Sequence, residues 1–327
     1  MKKFIILFSL FIFACTEVQQ ESGQEPEEKI EKSMYPVSKN MKIIYQYNFI
    51  GEGKPVCLTK IDDTYIIGMP RKILVSTDAE KWVQTTIFED ETPYILQTID
   101  NIVYLSTGYG YTCSNIYISK DKGRTWQKIY NSEKYVITLS QVKKGNRIAL
   151  GLYHQTGDEM KRFIDFGWFN LGCKKIENIT RIATANDMLE EYPGEISIIE
   201  RGHEIIAAIR WSDYPREPFT QLKISYDNGH TWEIFGKIWK GLAGKLTILK
   251  EGYFAGYLCE YDVYKYTVIG KFDLYTGNVI EIFYPFGHGE YRKNRGNGQA
   301  IWDDGYLTIF EGNNSLEKGS SFAKIEG

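Results

Sequence analysis

The chain has 327 residues, a formal net charge of -3, 43% hydrophobic residues and 15% aromatics, which is ample for a large folded unit with a real core. No run of Lys or Arg in the body of the chain forms an electrostatic footprint for nucleic acid, so that class of partner is excluded. The 24 Tyr and 17 Phe point to strands.

Residues 1–15 read as an export signal. Lys2 and Lys3 are followed by an apolar stretch, 4–13, that is too short to span a membrane as a mature helix. Ile12-Phe13-Ala14-Cys15 resembles a bacterial lipobox. That resemblance implies lipidation of Cys15 and a place in the cell envelope, anchored to a membrane and facing periplasm or cell surface. The bulk of Phe13 leaves a plain secreted protein as the alternative. Residues 16–40 carry Glu17, Glu21, Glu25, Glu27, Glu28 and Glu31 with few apolar partners, and such a stretch is expected to stay a disordered acidic tether. The folded domain is then 41–327.

From there short strands recur with turn signals between them, and helical periodicity is almost absent. A first group runs 55–61, 65–69, 72–76 and 82–88; a second 94–99, 102–106, 115–119 and 126–130; a third opens with 135–142 and 147–153 and turns at Phe169-Asn170-Leu171-Gly172. The fourth has 196–200, 204–210 and 222–225, the fifth 245–250 and 253–261 with a turn at 272–277, and the sixth 299–303, 306–311 and 321–325. The turn after each third strand returns at roughly 40 to 55 residues, the period of a propeller blade. The sixth group lacks a fourth strand, and segment 42–49 belongs to no other group, so it is expected to close the ring as the outer strand of the last blade.

Two of the third turns share the pattern Ser-x-Asp-x-Gly-x-Thr-Trp: Ser119, Asp121, Gly123, Thr125 and Trp126, then Ser225, Asp227, Gly229, Thr231 and Trp232. The Ser and Asp side chains can cap backbone N–H groups, Gly supplies a positive φ, and Trp packs its ring beside the turn. Ser76, Asp78 and Trp82 keep a shorter version. These turns resemble the Asp box, or BNR repeat, of sialidase-like propellers. The resemblance implies an all-β, six-bladed ring in which the boxes are structural.

In such a ring the boxes lie opposite the face on which each innermost strand begins, called the upper face below. Long loops on that face are the natural place for binding residues. The second strands end there with Arg71, Tyr109, Tyr153, Arg210, Glu260 and Glu311, and the loops add Lys54, Glu195, Trp211, Tyr291 and Arg292. Mixed charge with aromatics suits sugars. The segment 195–210 before the second full box is similar to the part of exo-sialidases that carries a catalytic Glu and a carboxylate-binding Arg. That similarity assigns Glu195 as activator of a Tyr nucleophile and Arg210 as one clamp arginine, with Tyr291 the nearest candidate for the nucleophile. The family's first arginine is matched by Lys54, and no Arg occurs between Arg216 and Arg292, where the third belongs.

The sequence therefore reads as a lipid-anchored propeller that binds a glycan or an envelope protein without sialidase activity. The ligand-binding candidates are Arg71, Arg210, Trp211, Glu260, Glu311, Lys54 and Arg292. A divergent sialidase or other glycoside hydrolase and an assembly factor holding a partner protein are the alternatives. No cofactor or metal is expected, since His154, His203, His230 and His288 are far apart, and a monomer is expected. Cys57, Cys113, Cys173 and Cys259 fall in different blades and read as buried thiols, with disulfide pairing left open.

Overall fold

The computed structural model describes residues 35–49, 55–109, 113–156, 161–185, 191–213, 218–260, 264–285, 295–296, 300–303, 306–313 and 320–326. The export signal, Cys15 and residues 16–34 of the expected tether lie outside them, and Tyr35–Gly327 is one compact unit.

Strand β1 (Lys42–Phe49) is followed by five antiparallel four-stranded sheets in chain order. Blade one is β2 (Cys57–Ile61), β3 (Thr64–Met69), β4 (Lys72–Ser76) and β5 (Val83–Ile87). Blade two is β6 (Thr92–Ile99), β7 (Ile102–Tyr109), β8 (Cys113–Ser119) and β9 (Gln127–Ser132), and blade three is β10 (Val136–Lys144), β11 (Arg147–Thr156), β12 (Lys161–Asn170) and β13 (Lys175–Thr184). Blade four is β14 (Glu191–Arg201), β15 (Glu204–Asp213), β16 (Phe219–Ser225) and β17 (Glu233–Lys240). Blade five is β18 (Leu242–Ile248), β19 (Tyr253–Glu260), β20 (Tyr264–Phe272) and β21 (Val279–Phe283). In the sixth, β22 (Arg295–Gly296) and β23 (Ala300–Asp303) both pair with β24 (Tyr306–Asn313), which pairs with β25 (Ser320–Glu326). The outer place beside β25 is taken by β1, antiparallel from Lys42 opposite Glu326 to Phe49 opposite Ser320. The described residues thus form a six-bladed all-β propeller whose last blade is completed from the N-terminal side.

Its core is divided among the blade interfaces. A second strand is covered on both faces by neighbouring blades, so it needs no alternation: every position of β3 is buried, and Ile205, Ile206, Ala207, Ala208 and Ile209 of β15 are all buried. The odd members of that run pack with Phe166 and Trp168 of blade three, and the even ones with Phe254 and Leu258 of blade five. Similar clusters join blades one and two around Ile66 and Leu105, two and three around Tyr104 and Leu150, and five and six around Ile269 and Ile309. Ile301 among Leu58, Ile67 and Met69 joins blade six back to blade one. Outer strands show the opposite pattern, as in β17, where Phe235 and Trp239 alone are buried.

The chain is already docked before β1. Val37 forms a parallel bridge with Ile282 of β21, Ser38 N–H donates to Ile282 O (2.7 Å), and Tyr35 O–H donates to Lys240 O (2.8 Å). The boundary between expected tether and fold therefore moves from residue 40 back to residue 35, because Pro36 and Ser38 cover the free edge of blade five as a fifth strand would.

Both Ser-x-Asp-x-Gly-x-Thr-Trp turns make the same bonds. Ser119 Oγ donates to Asp121 Oδ1 (2.8 Å) and accepts from Gly123 N (2.8 Å), Thr125 N and Oγ1 donate to the Asp121 carboxylate (2.9 and 2.6 Å), and Trp126 Nε1 donates to Gly123 O (3.1 Å). In the second copy Ser225, Asp227, Gly229, Thr231 and Trp232 repeat every one of these within 0.1 Å. The shorter turn keeps the Ser76–Asp78 bond (2.9 Å) and puts Ala79 at φ 57° where the others have Gly. The third turns, two with the box and the box-less one of blade five, also fasten blades together. Thr85 Oγ1 of blade one donates to Gly123 O (2.7 Å), Trp168 Nε1 of blade three to Asn228 O (3.0 Å), and Trp239 Nε1 of blade four to Gly277 O (2.9 Å).

A pH dependence follows. Hydrogen bonds from the Thr231 hydroxyl and N–H and from Ser225 hold the Asp227 carboxyl down at about 2, against an ordinary 3.8, and Asp78 and Asp121 are displaced in the same direction. A folded-state value below the unfolded one contributes stability that is complete above the unfolded value and is lost as pH falls through the folded one. Thermal midpoints are expected to be level above about pH 5 and to drop between about pH 4 and 2. The acid-sensitive part should shrink in Asp227→Asn, measured by calorimetric melts across that range.

Cys57, Cys173 and Cys259 carry thiols in blades one, three and five. Cys57 and Cys259 are buried as expected, but Cys173 is exposed, since it sits in the β12–β13 hairpin, where its Sγ approaches Glu177 Oε1 (3.4 Å). The side chain of Cys113 lies outside the described residues.

Candidate functional site

The direction of the strands fixes the two faces. In blade four the rungs Pro193–Trp211 and Trp211–Phe219 lie at one end, whereas Arg201–Glu204 and Ile205–Ser225 lie at the other with the box turn. The upper face thus carries the start of β14 and the β15–β16 connection, and the boxes lie below.

Around the axis the inner strands enclose a cavity of about 200 Å³, lined among others by Gln97, Gln141, Ser197 and Thr247. Above it a recess of about 20 Å³ is lined by Tyr94, Thr138, Glu195 and Leu246. Two β-bulges shape this mouth. On β14 the register passes from Pro193–Trp211 to Ile196–Ile209, so Gly194 and Glu195 together face Arg210. On β6 it passes from Pro93–Thr107 to Ile95–Ser106, leaving Tyr94 as the extra residue. A bulge breaks strict alternation and re-aims side chains, and here it brings Glu195 and Tyr94 to the recess.

Glu195 differs from Glu91 and Asp165 in its hydrogen bonding. Glu91, in the loop leading into β6, accepts from Thr107 Oγ1 (2.5 Å) and Tyr117 O–H (2.8 Å). Desolvation pushes its carboxyl upward, but these bonds, one from Asn115 and the Lys128 charge together hold it below its ordinary value. Asp165 in blade three accepts from Arg181 Nε and lies 3.2 Å from His154 Nε2. Burial lowers the pKa of His154, against the pull of Asp165, and its ring stacks on Phe163 (4.9 Å). These acids are engaged by the protein. Glu195 Oε2, by contrast, is buried and accepts no hydrogen bond from any described group. An unmet buried acceptor costs about 1 to 3 kcal/mol unless a donor from outside the protein, such as water, reaches it.

The candidates from sequence are only partly brought together. Arg210 stands next to the Glu195 bulge: a Cβ placed on Gly194 would be 3.8 Å from its Nη1. Trp211 points to the opposite face of the sheet, buried among blade-three residues and stacked on Phe219 (5.9 Å, 9°). It is core, because successive strand residues alternate faces. Arg71 is exposed in the β3–β4 turn at φ 65°, in blade one and not at the mouth. Glu260 ends β19 and Glu311 lies in β24, with side chains outside the described residues; Lys54, Tyr291 and Arg292 also lie outside them. Tyr94 and Thr138, which line the recess, were not legible as site residues. One signal existed, since both bulges follow a proline, Pro93 and Pro193, and proline inside a strand pattern marks an edge or a bulge. Among the described residues no group of His, Cys, Asp or Glu is placed to hold a metal ion.

Fold and mouth together define a six-bladed propeller with a polar axial recess on the face opposite its turn clamps. A protein of unknown function from Dyadobacter fermentans has the same fold, with a TM-score of 0.66 at 10% identity over 88% of this chain and 100% of that one. The GH93 α-L-arabinofuranosidase of Fusarium graminearum, solved in complex with arabinobiose, gives 0.59 at 12% over 89% and 96%. A thermostable family-43 glycoside hydrolase gives 0.53 at 11% over 79% and 99%. At these identities the likeness is one of fold. No protein-family model and no curated protein matches the chain.

Proposed function

We propose that this chain is a lipid-anchored protein of the cell envelope whose sialidase-like, Asp-box propeller binds a glycan at the upper mouth of its axis and does not cleave sialosides. The observation that carries the reading is Glu195, which lines a recess with Tyr94 and Thr138 and has one buried oxygen without a described partner. Sugars supply hydroxyl donors to such an acceptor and C–H faces to an aromatic ring. The box hydrogen bonds support the sialidase-like reading of the fold, with Glu195 and Arg210 as what remains of that family's site. Without a full arginine clamp and a matched Tyr nucleophile the losses in rate compound.

The test is a glycan array followed by titration calorimetry. Glu195→Gln is expected to weaken binding of the array hit about 10- to 100-fold by removing charge-assisted bonds, at an unchanged thermal midpoint, and fluorogenic sialosides should stay intact. Equal binding by the variant would remove Glu195 from the site.

A second reading, a divergent glycoside hydrolase, is favoured by the carboxylate at the mouth together with the GH93 and GH43 neighbours in fold. Turnover of an arabinofuranoside or sialoside that vanishes in Glu195→Gln would establish it over the first. For the anchor, Cys15→Ser should move the protein from the membrane fraction to the soluble fraction. Unchanged fractionation would contradict lipidation at Cys15.

A further inference from the structure

We propose that the axial cavity is a second binding site, entered from the lower face, for a small uncharged molecule rich in hydroxyl groups, about the size of one sugar ring. It does not depend on the glycan reading of the upper mouth.

The cavity wall is built from consecutive residues: Ser197 to Glu200 on β14, and Thr247 and Ile248 at the end of β18, followed by Leu249 and Lys250. Successive side chains of a strand point to opposite faces, so four residues in a row can line one space only along the edge of the strand. The packing agrees. Ile198 belongs to the interface with blade three and Ile199 to that with blade five, which leaves the β14 backbone between them facing the axis. Among the described residues β14 and β18 each pair with one strand alone, the second of their own blade, so about half of their N–H and C=O groups have no ladder partner and point at the axis. Side chains engage some groups of the inner edges: Ile248 N–H donates to Ser197 Oγ (3.1 Å), and Gln97 Nε2 donates to Leu139 O (3.5 Å). The others are left to whatever fills the space.

An occupant therefore meets donors and acceptors in alternation, joined by the side chains of Gln97, Gln141 and Thr247. A hydroxyl group matches both, since it donates one hydrogen bond and accepts two. Charge is confined to the rim and is balanced there: Glu200 Oε1 lies 3.1 Å from Lys144 Nζ, and Lys250 Nζ lies 4.0 Å from Glu251 Oε1. A charged guest would give up its hydration for a neutral interior, whereas an uncharged one loses far less. Buried Ala300 and Ile301 add apolar wall that suits C–H groups. At about 200 Å³ the cavity has room for about six or seven waters at about 30 Å³ each, and it is smaller than the sites of drug-sized ligands, about 300 to 1,000 Å³. One ring or a short polyol fits that space.

Entry is from below. Gln141 is exposed, and the Lys250 and Glu200 side chains at the lower rim are 72% and 32% exposed. At the upper end the cavity narrows to the recess of about 20 Å³, which shares Gln97, Leu139, Ser197 and Thr247 with it and is too small for a ring to pass.

Saturation-transfer NMR and thermal melts test this with neutral hexoses, pentoses and alditols, and with uronic acids and amino sugars as charged counterparts of similar size, on the parent chain, Gln141→Trp and Thr247→Val. A neutral compound is expected to bind the parent chain. Gln141→Trp puts a large ring at an exposed position of the lower rim, so it should melt like the parent chain and abolish binding. Thr247→Val, which exchanges a lining hydroxyl for a methyl group, should weaken binding about three- to tenfold. No hit, or hits confined to charged sugars, overturns the proposal. Full binding by Gln141→Trp overturns entry from below, and the site with it, whatever Thr247→Val does. None of these outcomes bears on the upper mouth, which Glu195→Gln tests separately.

Discussion

Deletion of residues 41–49 is expected to unfold or aggregate the propeller, whereas a truncation of the mature chain that stops before Tyr35 should melt like the full-length protein. Without β1 the whole of β25 becomes a free edge, and Met41 leaves the cluster that holds Leu307, Ile309 and Ile325. A strand's worth of ladder bonds at about 1 kcal/mol each, with the apolar burial beneath them, is comparable to the entire stability of an ordinary domain, about 5 to 15 kcal/mol. The exposed edge is also a template for pairing with other chains. A third variant, beginning at Met41, should fall between the two, since it loses the Ser38 and Tyr35 bonds to blades five and four but keeps the ladder. Thermal melts and size-exclusion profiles of the three shortened chains check this. Equal midpoints for the truncation before Tyr35 and the deletion of 41–49 would contradict closure of the ring.

Gly229→Ala should cost about 2 to 5 kcal/mol. The residue has φ +92°, and a Cβ there would lie 2.5 Å from Phe166 Cδ1 and 2.9 Å from Cζ, so the variant meets both a left-handed backbone, about 1 to 2 kcal/mol, and an overfilled interface between blades three and four, about 1 to 3 kcal/mol. Gly202→Ala separates the two. Its φ is +61° with no described atom within 4 Å of the new methyl, so it should show the backbone cost alone. Urea unfolding of both variants gives the difference, and equal destabilisation would mean that the Phe166 contact contributes nothing.

These two results depend on features of unequal visibility in the sequence. The blade count, the outer position of 42–49 and the box turns were legible because each is local: a hydrophobic run, a turn pattern, an unpaired strand. What the box turns touch was not. Nothing in Gly229-His230-Thr231-Trp232 reveals that the glycine closes on Phe166, some sixty residues earlier and one blade away. The same holds for Trp211, whose aromatic ring beside Arg210 suggested a sugar platform, yet strand alternation turns it into the blade-three interface. The extent of the docked segment before β1 was also hidden, because Tyr35 and Val37 sit at the end of an acidic stretch and find their partners on blades four and five. At the mouth, Glu195 was legible through its resemblance to a sialidase segment, whereas Tyr94 reaches the recess through a bulge, and a one-residue change of register leaves little trace in composition.

The most direct test of the central claim is hydrogen–deuterium exchange of the parent chain with and without a saturating array-selected glycan. Added protection should appear in peptides covering Tyr94 to Gln97 and Gly194 to Ser197, and none at the box turns around Asp121 and Asp227. Protection confined to the box turns, with the Gly194 and Tyr94 peptides unchanged, would place the ligand on the lower face and contradict the account.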